Sequence, residues 1–161
     1  MTEQPIERKL MGIAQCGAAM DELLGRCTRS LRIFDRQLDR GFNGLARCEL
    51  LRGFLRADQR NRLRIVLHET GNLARDCARL LELQRQFGHA VAIHETQSEA
   101  RRVHDPFSVA DERDHLHRFH YDQARGVLRL DSPVETHVFV ERFEEIWSFS
   151  SPSVNATTLG L

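Results

Sequence analysis

The feature that most constrains the fold is a regular alternation of helix-periodic and strand-like segments over residues 7–94. The predicted strands are Ser30–Asp35, 62–68 and 90–94, and the predicted helices are 7–26, 44–57 and 73–87. The segment that begins at Arg62 is the strongest strand, because it is dense in leucine and β-branched residues. A connection that contains a helix of this length joins parallel strands through a right-handed crossover. The first two thirds of the chain are therefore predicted to form an α/β unit.

The pattern changes after Thr96, where short strands follow one another without helices between them. The predicted strands are Phe107–Ala110, 115–121 and 126–130, and their short polar connections fit antiparallel hairpins. A closing helix begins at Pro133, since proline is favoured at the first position of a helix. We therefore predict an α/β fold with a mixed, mainly parallel sheet of about six strands flanked by helices.

Bulk properties exclude several classes of protein. A chain of 161 residues that is 41% hydrophobic supports one packed domain, and its formal net charge of zero disfavours a nucleic-acid binder. No CxxC pair occurs among the four cysteines, which are predicted to be reduced core residues: Cys16, Cys27, Cys48 and Cys77. The first residues include acids and no apolar run typical of a signal peptide, and no run of about 20 apolar residues occurs, so we expect a cytoplasmic protein without a signal peptide or a transmembrane segment.

One motif stands where the parallel half meets the hairpins. The segment from His104 to Asp111 reads His-Asp-Pro-Phe-Ser-Val-Ala-Asp, with Pro106 two positions after the histidine. This spacing, placed after the third parallel strand and before a hairpin and an aromatic-rich helix, resembles one half of the phospholipase D superfamily fold. The resemblance covers about residues 31–149. The motif of that family is His-x-Lys-x4-Asp.

The resemblance implies both a chemistry and a way of assembling it. In the family the histidine attacks phosphorus or protonates the leaving group, the lysine binds phosphate oxygens, and the aspartate orients the histidine. Two motif copies are required, from two repeats or two subunits. This chain has a single copy, so the resemblance implies a homodimer, with another protein as a second possible partner.

The lysine position of the motif carries Pro106, which has neither a charge nor a backbone donor. Loss of the cation that stabilises phosphoryl charge removes what is usually the largest catalytic contribution. We therefore predict a non-catalytic binding or protein-interaction domain with a vestigial motif: His104, Pro106 and Asp111. The alternative is a phosphodiesterase or nuclease with a rewired site, in which His104 acts with an arginine such as Arg101 or Arg102.

Polar residues follow each predicted parallel strand. Because ligands of open α/β sheets gather outside the carboxyl ends of parallel strands, these residues define a possible pocket rim: Asp35, His68, Glu69, His94 and Glu95. The alternative interpretation is that strand ends are polar because they meet water.

Two further groups allow a functional interpretation. His115 and His117 lie at alternate positions of a strand, so their imidazoles share a face and are a possible metal-ligand pair, although the sequence offers no evident third ligand. Arg52, Arg56 and Arg60 form a possible patch for anionic lipid or a phosphate ligand. The alternatives are a solvated strand face and a surface of ion pairs. No cofactor is expected.

The predicted organisation has three parts. Residues 1–27 form an N-terminal helix that packs on the domain, residues 28–149 form the phospholipase-D-like α/β domain, and residues 150–161, rich in serine, proline, asparagine and threonine, form a flexible tail.

Overall fold

The computed structural model describes residues 4–157, which form one α/β unit. Its strands are β1 Ile6–Met11, β2 Ser30–Asp35, β3 Arg62–Leu67, β4 Val91–Thr96, β5 Phe107–Ala110, β6 Asp114–Arg118, β7 Arg125–Leu130 and β8 Ser150–Pro152. Its helices are α1 Ile13–Arg26, α2 Leu45–Ala57, α3 Leu73–Asp76, α4 Ala78–Gln86, α5 Pro133–Ser148 and α6 Val154–Thr157. Two 3₁₀ turns, Arg40–Asn43 and Ser98–Arg102, follow β2 and β4.

All the strands belong to one sheet with the order β1-β7-β6-β5-β2-β3-β4-β8. Only the β2–β3 and β3–β4 pairs are parallel, and the other five pairs are antiparallel. The α/β class and the helix-flanked mixed sheet are confirmed. The prediction of about six mainly parallel strands was wrong, because the described residues contain eight strands whose pairing is mostly antiparallel.

Both additional strands lie at the edges of the sheet. Residues 7–11 were predicted to belong to a helix, but β1 pairs with β7 from Ile6, opposite Leu130, to Met11, opposite Arg125. Within this strand only Leu10 is buried, so its own sequence carries little strand signal. At the other edge, β8 pairs with β4 inside the segment predicted to be a flexible tail, and Ala156 in α6 is buried. The end of that tail, residues 158–161, lies outside the described residues, as do residues 1–3.

The alternation of side chains along the strands creates two cores. On one face Ile33, Ile65 and Ile93 pack with α1, α2 and α4, whereas on the other face Phe34, Val66 and Phe107 pack with α5. Burial of these side chains contributes on the order of 2 kcal/mol each and fixes the strand register, because a slip of one residue would exchange the faces.

The topology brings several elements together at one end of the sheet. The strands β2 and β3 are parallel, and α2 connects them, so α2 begins beside the carboxyl end of β2. The helix α1 precedes β2 and runs against it, so it begins at the same end. The loop before β5 also arrives there, since Phe107 pairs with Phe34. Among the described residues no helix is long and apolar enough to span a membrane.

Candidate functional site

The motif residues His104 and Asp111 lie at opposite ends of β5. His104 precedes the strand, Asp111 follows it, and a strand segment of this length spans roughly 20 Å. The aspartate therefore does not orient the histidine, in contrast to what the resemblance to the phospholipase D family implies.

Asp111 binds the loop that leads into β2. Its carboxylate accepts hydrogen bonds from the backbone N–H groups of Thr28, Arg29 and Ser30 at 2.8, 2.7 and 3.1 Å, and from the Thr28 hydroxyl at 3.0 Å. Burial opposes ionisation of this carboxyl, but the hydrogen bonds outweigh it and lower the pKa of Asp111. The motif aspartate thus holds two chain segments together at the amino end of β2.

His104 has an exposed side chain with aromatic neighbours that the sequence analysis did not identify. Its ring centroid lies 5.7 Å from that of His120 and 5.5 Å from that of Tyr121. The backbone also joins these segments, because the N–H of Tyr121 donates to the His104 carbonyl at 2.9 Å. Two imidazoles therefore lie side by side within one chain.

Pro106 is buried in the wall of a cavity of about 470 Å³ at the carboxyl end of β2. Ser108 and Leu116 continue that wall along β5 and β6. Opposite them lie the first turns of α1 and the 3₁₀ turn after β2. The lining residues are Ile13, Cys16, Gly17, Met20, Phe34, Asp35, Asp39, Arg40, Gly41, Phe42, Arg47, Pro106, Phe107, Ser108, Leu116, Arg118 and Ala124.

Asp35 and Arg118 form the polar end of this cavity. Arg118 Nη1 lies 3.4 Å from Asp35 Oδ2, and the guanidinium also donates to the carbonyls of Tyr121 at 2.8 Å and Gln123 at 3.1 Å. Burial raises the pKa of Asp35 to about 6, although the Arg118 charge and the backbone N–H of Arg36 favour the ionised form. Arg118 lies on β6 beside the lysine position, where its backbone N–H donates to the Pro106 carbonyl at 2.9 Å, and no motif in the sequence marked it.

Only Asp35 among the five predicted rim residues lines the cavity. His68 is buried and structural: its Nε2 lies 2.7 Å from the Val103 carbonyl and its Nδ1 2.6 Å from the Thr96 hydroxyl. Because only a protonated Nε2 can bond the carbonyl, the Thr96 hydroxyl donates to Nδ1. Burial lowers the pKa of His68.

The other three rim residues hold neighbouring segments. His94 contacts the Ser150 hydroxyl at 2.8 Å and stacks on Trp147, with ring centroids 3.7 Å apart. Glu95 accepts from the Thr70 hydroxyl at 3.0 Å. The exposed Glu69 lies 3.7 Å from the Arg36 guanidinium. The five residues end or follow the parallel strands β2, β3 and β4, but their side chains do not converge on one pocket.

His115 and His117 point toward α5, as their alternation requires, and each is already engaged. Nδ1 of His115 lies 2.7 Å from the Thr136 hydroxyl, and Nε2 of His117 lies 2.8 Å from Asp105 Oδ2. Arg142 also donates to both Asp105 oxygens, at 2.8 and 2.7 Å. Across residues 4–157 no group of three or more His, Cys, Asp and Glu side chains could hold a metal ion. The geometry does not favour the predicted metal pair.

Two of the three arginines of the predicted anion patch, Arg52 and Arg56, lie on α2, Arg60 lies in the turn before β3, and none of them lines the cavity. Arg52 pairs with Glu49, and Arg60 pairs with Asp58 at 2.9 Å, whereas Arg56 is exposed on the last turn of α2. The ion-paired interpretation of this surface fits two of the three residues.

Arg101 and Arg102, the cations considered as substitutes for the motif lysine, lie in the 3₁₀ turn after β4. Arg101 donates to the His68 carbonyl at 3.3 Å, so it holds this turn against the end of β3.

Comparison with known structures identifies the fold. The phospholipase D family member Nuc from Salmonella typhimurium superposes with a TM-score of 0.66 at 14% identity, over 93% of this chain and 99% of that chain. NucT from Helicobacter pylori gives 0.57 at 9% identity, over 93% and 100%. Phosphatidylserine synthase from Haemophilus influenzae Rd KW20 gives 0.58 at 12% identity, over 97% and 41%.

The fold is therefore similar to that of these phospholipase D family members. A family profile described as Domain of unknown function (DUF7931) matches residues 13–159, and the chain belongs to this family. No curated protein matches the chain in sequence.

Proposed function

We propose that this chain is a non-catalytic phospholipase-D-like domain that binds a small ligand in the cavity beside Pro106. The observation that carries the proposal is that Pro106, at the lysine position of the motif, forms part of the cavity wall. A cavity of about 470 Å³ is of the size that small-molecule sites have, and it lies where open α/β sheets bind ligands.

Two features argue against turnover of a phosphodiester. The motif cation is replaced by a ring without a donor, and Arg118, which lies on the strand beside Pro106, is already bound to Asp35 and two carbonyls. The motif aspartate binds backbone at the far end of β5, so it cannot hold the His104 imidazole in one tautomer. Both contributions to the chemistry of the family are thus missing from one subunit.

Absence of catalysis is tested with bis(p-nitrophenyl) phosphate, a generic phosphodiester. We expect the same background release of nitrophenol from the wild type and from His104→Ala. Turnover that is well above background and that disappears in His104→Ala would overturn the proposal.

Ligand binding is tested with a matched pair of glycine variants and the fluorescent probe 1-N-phenylnaphthylamine. Gly17 lies on α1 in the cavity wall, and a Cβ atom there meets nothing nearer than an Arg47 nitrogen at 3.9 Å. Gly53 lies on α2, and a Cβ atom there meets nothing within 4 Å. Gly17→Leu should fill the cavity and abolish the fluorescence increase, while Gly53→Leu should leave it unchanged. Equal probe binding by both variants would refute a ligand site here.

A rewired phosphodiesterase is the second candidate. The side-by-side imidazoles of His104 and His120 support it, because they would supply within one chain the two histidines that the family takes from two motif copies. This alternative predicts turnover that is lost in both His104→Ala and His120→Ala, whereas His137→Ala, an exposed site on α5, would retain it.

A homodimer remains an expectation from the single motif. Pairing of two chains would bury the face beside β5. Sedimentation velocity at tens of micromolar tests this directly, and a purely monomeric profile would remove the proposal. A protein partner other than a second copy is the remaining expectation for this surface.

Binding of anionic lipid through Arg52, Arg56 and Arg60 is a third proposal. It predicts co-sedimentation with phosphatidylserine vesicles that is lost when the three arginines are replaced by alanine. Retention of vesicle binding in that variant would exclude this patch as the site.

A further inference from the structure

We infer that the cavity beside Pro106 takes an uncharged amphipathic molecule, with an apolar body and one hydroxyl-like polar group, rather than a phosphate ester. This inference rests on the proposed ligand-binding function and specifies its ligand class. Three observations carry it: the apolar walls, the balanced charges around them, and an exposed apolar mouth.

The deep walls of the cavity are formed by buried apolar side chains. Leu116 from β6 and Phe42 from the 3₁₀ turn after β2 are each at most 4% exposed, and Met20 of α1 packs against the same core. Apolar surface of a ligand that contacts these side chains is removed from water, which favours binding. The body of the ligand is therefore apolar.

The charged groups that line the cavity already have counter-charges or donors within the protein. Arg47 binds Asp21 at 2.7 Å, and Arg40 binds Asp76 at 3.2 Å. The carboxylate of Asp39 accepts from the N–H of Gly41 at 2.8 Å. An anionic or cationic ligand would leave water without gaining an unpaired partner here, which makes binding of its charge unfavourable.

Asp35 and Arg118 can form hydrogen bonds with a neutral polar group of the ligand. Their 3.4 Å separation is longer than the 2.7–2.9 Å of a tight charge-assisted hydrogen bond, so both atoms keep capacity for a further partner. A ligand hydroxyl can donate to Asp35 Oδ2 and accept from Arg118 Nη1 at once. The other guanidinium bonds, to the carbonyls of Tyr121 and Gln123, hold Arg118 in place.

The mouth of the cavity is unusually apolar for a surface. Ile13, at the start of α1, lines the cavity and is 83% exposed. The neighbouring Met11 is 65% exposed, and Leu45, at the start of α2, is 62% exposed. Both helices begin at this end of the sheet, so these side chains lie at the same end as the entrance, where an aliphatic chain that extends out of the cavity can reach them.

The test is displacement of 1-N-phenylnaphthylamine from the full chain at pH 7.5 by three competitors of equal chain length, each below its micellar concentration. Decanol should displace the probe, whereas decyl sulfate and decyltrimethylammonium should be weaker by about tenfold or more. Asp35→Asn keeps the shape of the cavity and leaves the Arg118 charge without its partner. Decyl sulfate should then gain about tenfold in affinity relative to decanol.

The outcomes separate this inference from the proposal beneath it. If either charged competitor displaces the probe from the wild type as well as decanol does, the neutral class is wrong while ligand binding stands. If the probe does not bind, or binds Gly17→Leu as it binds the wild type, the ligand-binding proposal itself falls. Should Asp35→Asn not fold, the competitor series on the wild type still decides the ligand class.

Discussion

Acidification should destabilise the protein through one buried histidine, His115. Its side chain is 0% exposed and stacks on Phe139, with ring centroids 4.4 Å apart. The Thr136 hydroxyl gives its single proton to the Arg113 carbonyl at 3.1 Å, so it must accept from Nδ1–H of His115. Nε2 is then an unprotonated nitrogen, and no hydrogen-bond partner reaches it from residues 4–157. A proton added there would place a charge in the core.

The size of the effect follows from the pKa difference between the two states. Burial, and after it the charge of Arg129, lower the pKa of His115 from 6.5 to about 4. Below pH 6.5 the unfolded chain takes up a proton that the folded chain does not, so stability falls as the pH falls. The loss is about 2 kcal/mol at pH 5 and approaches about 3.4 kcal/mol below pH 4. Above pH 7 this histidine contributes almost nothing to the pH dependence.

Urea unfolding of the wild type and of His115→Phe, each at pH 7.5 and pH 5, measures this contribution. At pH 7.5 the variant should lie within about 1 kcal/mol of the wild type, since it loses one hydrogen bond and also removes an unpartnered nitrogen. Between the two pH values it should lose about 2 kcal/mol less than the wild type. His137→Gln removes an exposed histidine and should behave as the wild type does. An equal acid loss in His115→Phe and the wild type would refute the reasoning.

Two further stability predictions follow from backbone contacts. Asp111→Asn should lower the free energy of unfolding by about 2 kcal/mol, because an amide cannot satisfy the three N–H donors. The control Glu112→Asn, also at a positive φ but exposed, should change it by less than about 0.5 kcal/mol. Equal losses of the two variants in urea unfolding would contradict this prediction. Gly126→Ala would place Cβ 2.1 Å from the His117 carbonyl oxygen and should lower the free energy of unfolding by about 3 kcal/mol or more. The control Gly53→Ala, in a helix, should raise it by about 0.8 kcal/mol. A Gly126→Ala variant that unfolds thermally as the wild type does would contradict the close approach of β6 and β7.

The predictable parts of the fold are those whose signals are local. The β2 strand could be predicted because its residues are apolar and β-prone, and all four inner residues, Leu31 to Phe34, are buried. The β1 strand could not, since Leu10, Ile13 and Ala14 have helical spacing and the strand exists through pairing with β7. The prediction contained mainly parallel strands because the helices that connect such strands are easily recognised in a sequence. Most strand pairs of the sheet are instead antiparallel and involve hairpins and edge strands.

The candidate site divides in the same way. Asp35 and Pro106 could be located because a strand end and a motif marked them. Arg118 could not, because its place beside Pro106 depends on the β5–β6 register, in which the Arg118 N–H donates to the Pro106 carbonyl at 2.9 Å. Phe42 and Ile13 reach the cavity from elements distant in sequence. A sequence motif within one segment cannot predict contacts between residues that are distant in sequence.

The pairing of β1 with β7 also sets an order of events during synthesis. Ile6 lies opposite Leu130, so the first described strand of the chain waits for one of the last before it can join the sheet. A ribosome that adds on the order of 10 residues per second makes β1 several seconds before its partner emerges. During that interval β2, β3 and β4 are synthesised and can pair with one another, whereas β1 still lacks its partner β7. This edge of the sheet is therefore completed late, by the first of the described strands to be synthesised.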